Sequence, residues 1–122
     1  IEEIEIYGSF AVVDEGAFKG CQKLKRAVIG DGVMWICSFA FQNCPVLETI
    51  YLSKTIDTFD ENAFIDCENV KFEVIKFSEG HDLVEELGYN YEIVGKLSFF
   101  ERVSKFFSDL FESFLNWILG VE

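Results

Sequence analysis

The chain has 122 residues, half of them apolar, with fourteen phenylalanines, nine glycines and a single proline; this suits one cored domain, with or without an appendage, and excludes a long disordered chain. Ten basic residues stand against twenty-two acidic ones, a formal net charge of −12, and a surface of that sign repels phosphate backbones, which makes nucleic acid a poor partner. No run reaches the roughly 18–20 apolar residues that a spanning helix requires, because Glu101, Arg102, Lys105, Asp109 and Glu112 interrupt the most hydrophobic segment.

The first element, Ile1-Glu2-Glu3-Ile4-Glu5-Ile6, alternates with the period of two of a half-buried strand. It opens without a methionine or a basic-apolar leader, so the N-terminus is expected to be a cut edge with further repeats upstream, and no compartment can be read from it. From here a unit of 23 residues governs the chain: Ala17-Phe18 recurs as Ala40-Phe41 and Ala63-Phe64, and Cys21 as Cys44 and Cys67. The same interval relates Leu24, Leu47 and Val70; Ile4, Ala27 and Ile50; Ile6, Ile29, Leu52 and Ile75; Phe10, Val33 and Ile56; and Val13, Ile36 and Phe59. Each unit joins short period-two pieces to one Ala-Phe turn, the pattern of a solenoid coil, and in a stack every column becomes an inward ladder. The phase is expected to hold throughout, with Phe18, Phe41 and Phe64 in line inside and Cys21, Cys44 and Cys67 as small buried hydrophobes. An outward column of Glu2, Lys25, Glu48 and Lys71 alternates in sign and supports the same register.

Beyond Ile75 the unit weakens, since Val70 stands at a leucine position and Glu73 where an inward aliphatic is expected. The stretch from Ser78 to Tyr89 predicts a short capping helix, followed by a last strand near Tyr91 to Val94, because a solenoid needs an atypical end. From Leu97 to Leu119 the period becomes helical: Phe100, Val103, Phe107, Leu110, Phe114 and Trp117 are spaced 3, 4, 3, 4 and 3, a heptad-like seam. Ser98 with Glu101 forms a capping box and Gly120 closes the helix. Some 23 residues at 1.5 Å each give a rod of about 35 Å, against roughly 15–20 Å for four stacked coils. Part of its apolar face is therefore expected to meet another helix, a second copy of itself or a membrane interface; the balance of Lys105 and Arg102 against three acids favours protein.

The run Val33-x-x-Ile36-x-x-x-Ala40-Phe41-x-x-Cys44-x-x-Leu47-x-x-Ile50-x-Leu52 closely resembles the BspA-like class of leucine-rich repeats, and Phe10 to Ile29 and Ile56 to Ile75 follow it less strictly. The resemblance covers residues 4 to 94. It implies an α/β repeat solenoid, a right-handed leucine-rich-repeat superhelix of short parallel strands and Ala-Phe-x-x-Cys turns, about three and a half coils long with a C-terminal amphipathic helix. The domains expected are a solenoid over 1–95, its capping segment at about 78–95, and the helix over 96–122. The proline that often follows the strand in this family is replaced by Gly30, Ser53 and Lys76, which is expected to loosen the turns. The family implies a surface or secreted module for adhesion or protein recognition, with no catalytic residue and no cofactor.

The residues themselves agree with a non-enzymatic reading. The three repeat cysteines are expected to be free thiols, because parallel Cβ vectors on one ladder do not give a disulfide dihedral, and Cys37 lacks a C-x-x-C partner for zinc. His81 is expected to be a solvated residue of the cap, and the acidic pairs have no calcium-loop spacing. Outward apolar residues are better candidates for binding: Val28, Tyr51 and Val74 in one strand column, Arg26 and Phe72 beside it, and Met34, Trp35 and Phe39 on the central coil. Packing against the helix or neighbouring coils is the plainer explanation for them. Two functions follow, a protein-recognition module with a host or cell-surface protein ligand, or a structural tail whose helix self-associates or anchors peripherally to a membrane.

Overall fold

The computed structural model describes residues 1–120. Strands β1 (Glu3–Ile6), β3 (Arg26–Ile29), β5 (Thr49–Leu52), β7 (Lys71–Lys76) and β8 (Asn90–Lys96) form one parallel sheet in that order, and β2 (Ala11–Val13), β4 (Val33–Ile36) and β6 (Thr58–Phe59) form a second. Each of the first three coils thus contributes one strand to each sheet, and turns carry the Ala-Phe motif between them. Helix α1 (Glu79–Glu86) lies between β7 and β8, and α2 (Phe99–Leu119) follows β8.

Alternation decides what points inward. β3 and β5 both bury their second and fourth residues, Ala27 with Ile29 and Ile50 with Leu52, and the neighbouring strands pair residue for residue at an interval of 23: Glu3 with Arg26, Arg26 with Thr49. Inside, the Phe18 and Phe41 rings stack at 5.3 Å between centroids and the Phe41 and Phe64 rings at 5.4 Å. Offset stacking at this separation is a favourable aromatic geometry, and it fits a strand repeat of about 4.8 Å. The thiols extend the ladder: Cys44 donates to the carbonyl of Phe18 at 3.3 Å, and Cys67 to that of Phe41 at 3.0 Å. All four cysteines are free. Sharing a proton with the Cys67 sulfur, with Cys44 as the protonated partner, and then burial push the Cys44 thiol above its ordinary range.

The backbone explains the residue before each cysteine. Gly20, Asn43 and Asp66 all adopt left-handed φ, between 56° and 74°, the conformation that glycine, asparagine and aspartate tolerate best.

In the five-stranded sheet the coil-to-coil phase slips at β7, contrary to the expectation of an unbroken 23. β7 pairs with β5 at an interval of 22: Thr49 with Lys71, Ile50 with Phe72, Tyr51 with Glu73. Phe72 and Val74 are consequently fully buried, and Ile75 is not. The physical reason is that a one-residue shift exchanges the faces of a strand. At 23 it would have sealed Glu73 inside without a partner, a cost of several kcal/mol, and turned Phe72 outward. Lys71 accordingly leaves the expected charge column and pairs with Glu92 at 2.9 Å, while Lys25 and Glu2 remain 3.9 Å apart.

A second correction lies in the first coil. Phe10 is 82% exposed with φ of 54°, and Ala11 takes the place opposite Val33. Phe18 and Cys21 are only partly buried because one coil, not two, covers them.

The turns after the strands are stitched, not loose. The Ser53 hydroxyl donates to the Gly30 carbonyl at 3.0 Å, and Thr55 donates to the Val33 carbonyl at 2.9 Å while accepting from the Gly32 amide at 3.0 Å. Gly32 is required there, since its φ is +91° and a Cβ would strike the Gly8 carbonyl.

At the far end Phe72 packs edge-on to Phe64 at 5.1 Å and Tyr89 tilts over Phe72 at 4.9 Å, closing the ring column. Ser78 caps α1 by accepting from the His81 amide, and Val84 is buried. His81 is not solvated: its side chain is 13% exposed, its Nδ1 accepts from the Phe77 amide at 3.3 Å, and its ring packs on Tyr91.

Phe41→Ala, at the middle of the ring column, is expected to lower unfolding free energy by about 3–5 kcal/mol, and Phe18→Ala by less because that ring is half-buried at the start of the stack. Urea titration followed by circular dichroism checks the order; an equal loss at the two sites would mean that the rings are not a graded ladder.

Candidate functional site

Residues that alternate outward on the five-stranded sheet fall into two rows. One runs Glu3, Arg26, Thr49, Lys71 and Asn90, the other Glu5, Val28, Tyr51, Glu73 and Glu92. Between them lies a shallow groove of about 440 Å³, whose walls include Glu3, Glu5, Tyr7, Arg26, Val28, Asp31 and Tyr51. Three candidates from the sequence, Arg26, Val28 and Tyr51, therefore share one surface.

Arg26 is the strut of that surface. Its guanidinium reaches Glu73 at 2.9 Å, two strands away, and Glu3 at 3.8 Å. The remaining field is acidic. Burial, and then the Asp31 and Glu73 carboxylates, push the Tyr51 phenol up. A hydrogen bond to Glu5 at 3.0 Å does the same for Tyr7. The site thus offers a planar aromatic, a short aliphatic floor and several carboxylates, a combination that receives cationic side chains with an apolar stem.

The other candidates lie elsewhere. Phe72 and Val74 belong to the core, for the reason given by the register. Trp35 is 48% exposed on β4, in the second sheet, with its indole N–H donated to Asp57 at 3.1 Å. Met34 is partly buried beside it, and Phe39 sits at a left-handed φ of 60° in the following turn. Trp35 borders a separate groove with Asp60 and Glu61. Sequence reasoning missed Tyr7 and Glu73. Glu73 carried a signal, an acid at an inward position, that read as decay of the repeat instead of a one-residue deletion.

Helix α2 is the second candidate surface. Ser98 and Glu101 make the reciprocal capping box, Gly120 closes the helix in a left-handed conformation, and no residue of α2 is buried. It touches the coils through polar side chains: Glu101 with Lys54 at 2.6 Å, Lys105 with Asp82 at 2.9 Å and with Glu79 at 3.6 Å, and Arg102 over the Phe77 ring at 4.1 Å. The seam residues Phe100, Phe107, Leu110, Phe114 and Trp117 stay between 51% and 81% exposed, and Val103 is partly covered. No helix among the described residues is long and apolar enough to cross a membrane, and no group of three or more metal-ligating side chains occurs among them.

The Lys54 ammonium, together with the Ser98 amide and hydroxyl, holds the Glu101 carboxyl at about 2. Because the folded group is the stronger acid, its contribution to docking α2 is complete above the ordinary glutamate value of about 4.3 and is lost as pH falls through about 2. An NMR titration of the Glu101 carboxyl should show that low midpoint, and Lys54→Ala should raise it; an unchanged midpoint would mean that the pair does not form in solution.

A family model described as "BspA type Leucine rich repeat region (6 copies)" matches residues 1–116, a stretch that runs through every coil and the cap into α2. No curated protein and no solved structure matches the chain.

Proposed function

The chain belongs to the BspA-type leucine-rich repeat family, and on that premise we propose that it is a non-catalytic recognition or adhesion module of a cell-surface or secreted protein, binding its protein ligand on the outer face of the five-stranded sheet. Repeats of this family are in general protein-interaction modules without enzymatic activity, typically of surface or secreted proteins. The observation that carries the reading to a place is the convergence of Val28, Tyr51 and Tyr7 with Glu3, Glu5 and Asp31 around one groove.

The ligand favoured by this surface is a basic segment. Lysine or arginine stems lie along Val28 and the tyrosine rings, and their heads meet the carboxylates, with charge steering from a chain of net −12. Arg26 is already neutralised by Glu73 and Glu3, so it orders the groove instead of repelling such a ligand. Aromatic anchors ringed by polar groups are the usual energetic centre of a protein interface.

Phage-displayed random peptides selected on the chain should be enriched in lysine and arginine, and their binding should weaken as salt is raised. Tyr51→Ala combined with Glu5→Gln should reduce affinity at least about tenfold, the effect of one lost hot-spot contact. Trp35→Ala, on the other sheet, should leave it unchanged. Acidic or uncharged peptides, or binding that depends on Trp35 and not on Tyr51, would place the recognition surface elsewhere.

A further inference from the structure

The apolar side of α2 is uncovered from end to end except at Val103, which is partly covered. Phe99, Phe100, Phe106, Phe107, Phe111 and Trp117 are each at least 61% exposed. At roughly 150–250 Å² per aromatic side chain, these six alone leave on the order of 800 Å² of apolar surface in water. The largest apolar patch of a typical monomer is about 300–600 Å², whereas each partner in a standard protein interface contributes about 800 Å². The face is the size of one half of a dimer interface.

Its spacing specifies the other half. The intervals 3, 4, 3, 4 and 3 read the same in both directions, so in an antiparallel pair of identical helices every seam residue meets a seam residue. The facing residue numbers always sum to 217: Phe100 with Trp117, Val103 with Phe114, and Phe107 with Leu110. Large rings at the ends thereby meet each other while the centre pairs Phe with Leu, and the contact is self-complementary, as twofold symmetry demands. The coils do not obstruct it, because Glu101, Arg102 and Lys105 hold α2 to them by the opposite, polar side.

A membrane surface suits this helix less well. Interfacial helices set lysine and arginine beside the apolar face to meet anionic headgroups. Here Lys105 is bound to Glu79 and Asp82, Arg102 covers Phe77, and the chain as a whole carries −12. We propose that α2 joins two copies of this chain in an antiparallel helix pair, with the twofold axis at the level of Ser108 and Asp109. Repulsion between the two acidic bodies is screened within about 8–10 Å at ordinary ionic strength, so the pair tightens as salt is added.

Sedimentation equilibrium of the full chain at micromolar concentration should give a dimer whose dissociation constant falls between low and high salt. Leu110→Glu or Phe107→Glu should raise that constant at least about 100-fold, as expected for a charge placed in a hot-spot core; both positions are more than half exposed in one chain, and unchanged ellipticity verifies the fold. Mixed under oxidation, Phe100→Cys and Trp117→Cys chains should yield a cross-link identified by peptide mass mapping, which separates it from bonds to native thiols. Phe100→Cys alone should not, because its two copies lie about 25 Å apart at opposite ends. A monomer, a dimer indifferent to Leu110→Glu, self-cross-linking of Phe100→Cys, or failure of the mixed cross-link would each overturn the antiparallel pair. So would a monomer that floats with phosphatidylcholine–phosphatidylglycerol vesicles.

Discussion

A single coil of this chain presents apolar residues at both edges and has nothing of its own to cover them with. Everything else follows from stacking equivalent residues over one another at the spacing of a parallel sheet. The backbone ladder fixes that spacing near 4.8 Å, and the interior must fill it with groups that repeat along the axis: stacked phenyl rings and thiols that donate to the carbonyl of the coil before. Stability is therefore nearest-neighbour in character. The first coil shows this directly, for Ala17 is exposed and Phe18 and Cys21 are only partly buried where their counterparts in the next two coils are sealed. At the other end Phe72, Tyr89 and α1 replace a further coil.

The same constraint accounts for the slip between β5 and β7. A strict 23-residue phase and a buried apolar face cannot both be kept once a residue is missing between Val70 and Phe72. Burial prevails, since leaving Glu73 inside without a partner and exposing Phe72 would together exceed any benefit of regular spacing. The consequence reaches the surface. Glu73 turns outward and holds Arg26 across two strands, which neutralises the guanidinium in the wall of the groove where Tyr51 lies and leaves the carboxylates of Glu3, Glu5 and Asp31 to set its sign.

Legibility in the sequence follows from how strongly each position is constrained. The inward columns were readable because a stack admits one residue type per position: small at Ala40 and Ala63, aromatic at Phe41 and Phe64. The helix was readable from its period and caps, Ser98 with Glu101 at one end and Gly120 at the other. Outward positions obey no such rule, so an exposed aromatic and a buried one look alike until the register is known. Arg26, Val28 and Tyr51 fell together because β1, β3 and β5 keep the interval of 23; Phe72 and Val74 did not, because β7 shifts by one, and Trp35 belongs to the other sheet. Phe10 failed for a related reason, the irregularity at Ala11. That α2 attaches by its charged side was not legible either, since it depends on Lys54 and Asp82, which no local pattern links to the helix.

The module thus carries two surfaces of opposite character: an acidic, aromatic groove on the sheet and an apolar helix face held away from the coils by ion pairs. Both take their position from the stack, and the groove takes its chemistry from the register of one strand. Backbone nuclear Overhauser contacts between β5 and β7 in solution measure that register without any substitution. Cross-strand contacts joining Ile50 to Phe72 and Tyr51 to Glu73 are expected, whereas contacts joining Ile50 to Glu73 and Tyr51 to Val74 would restore the unbroken repeat and remove the basis for the interior and the groove described above.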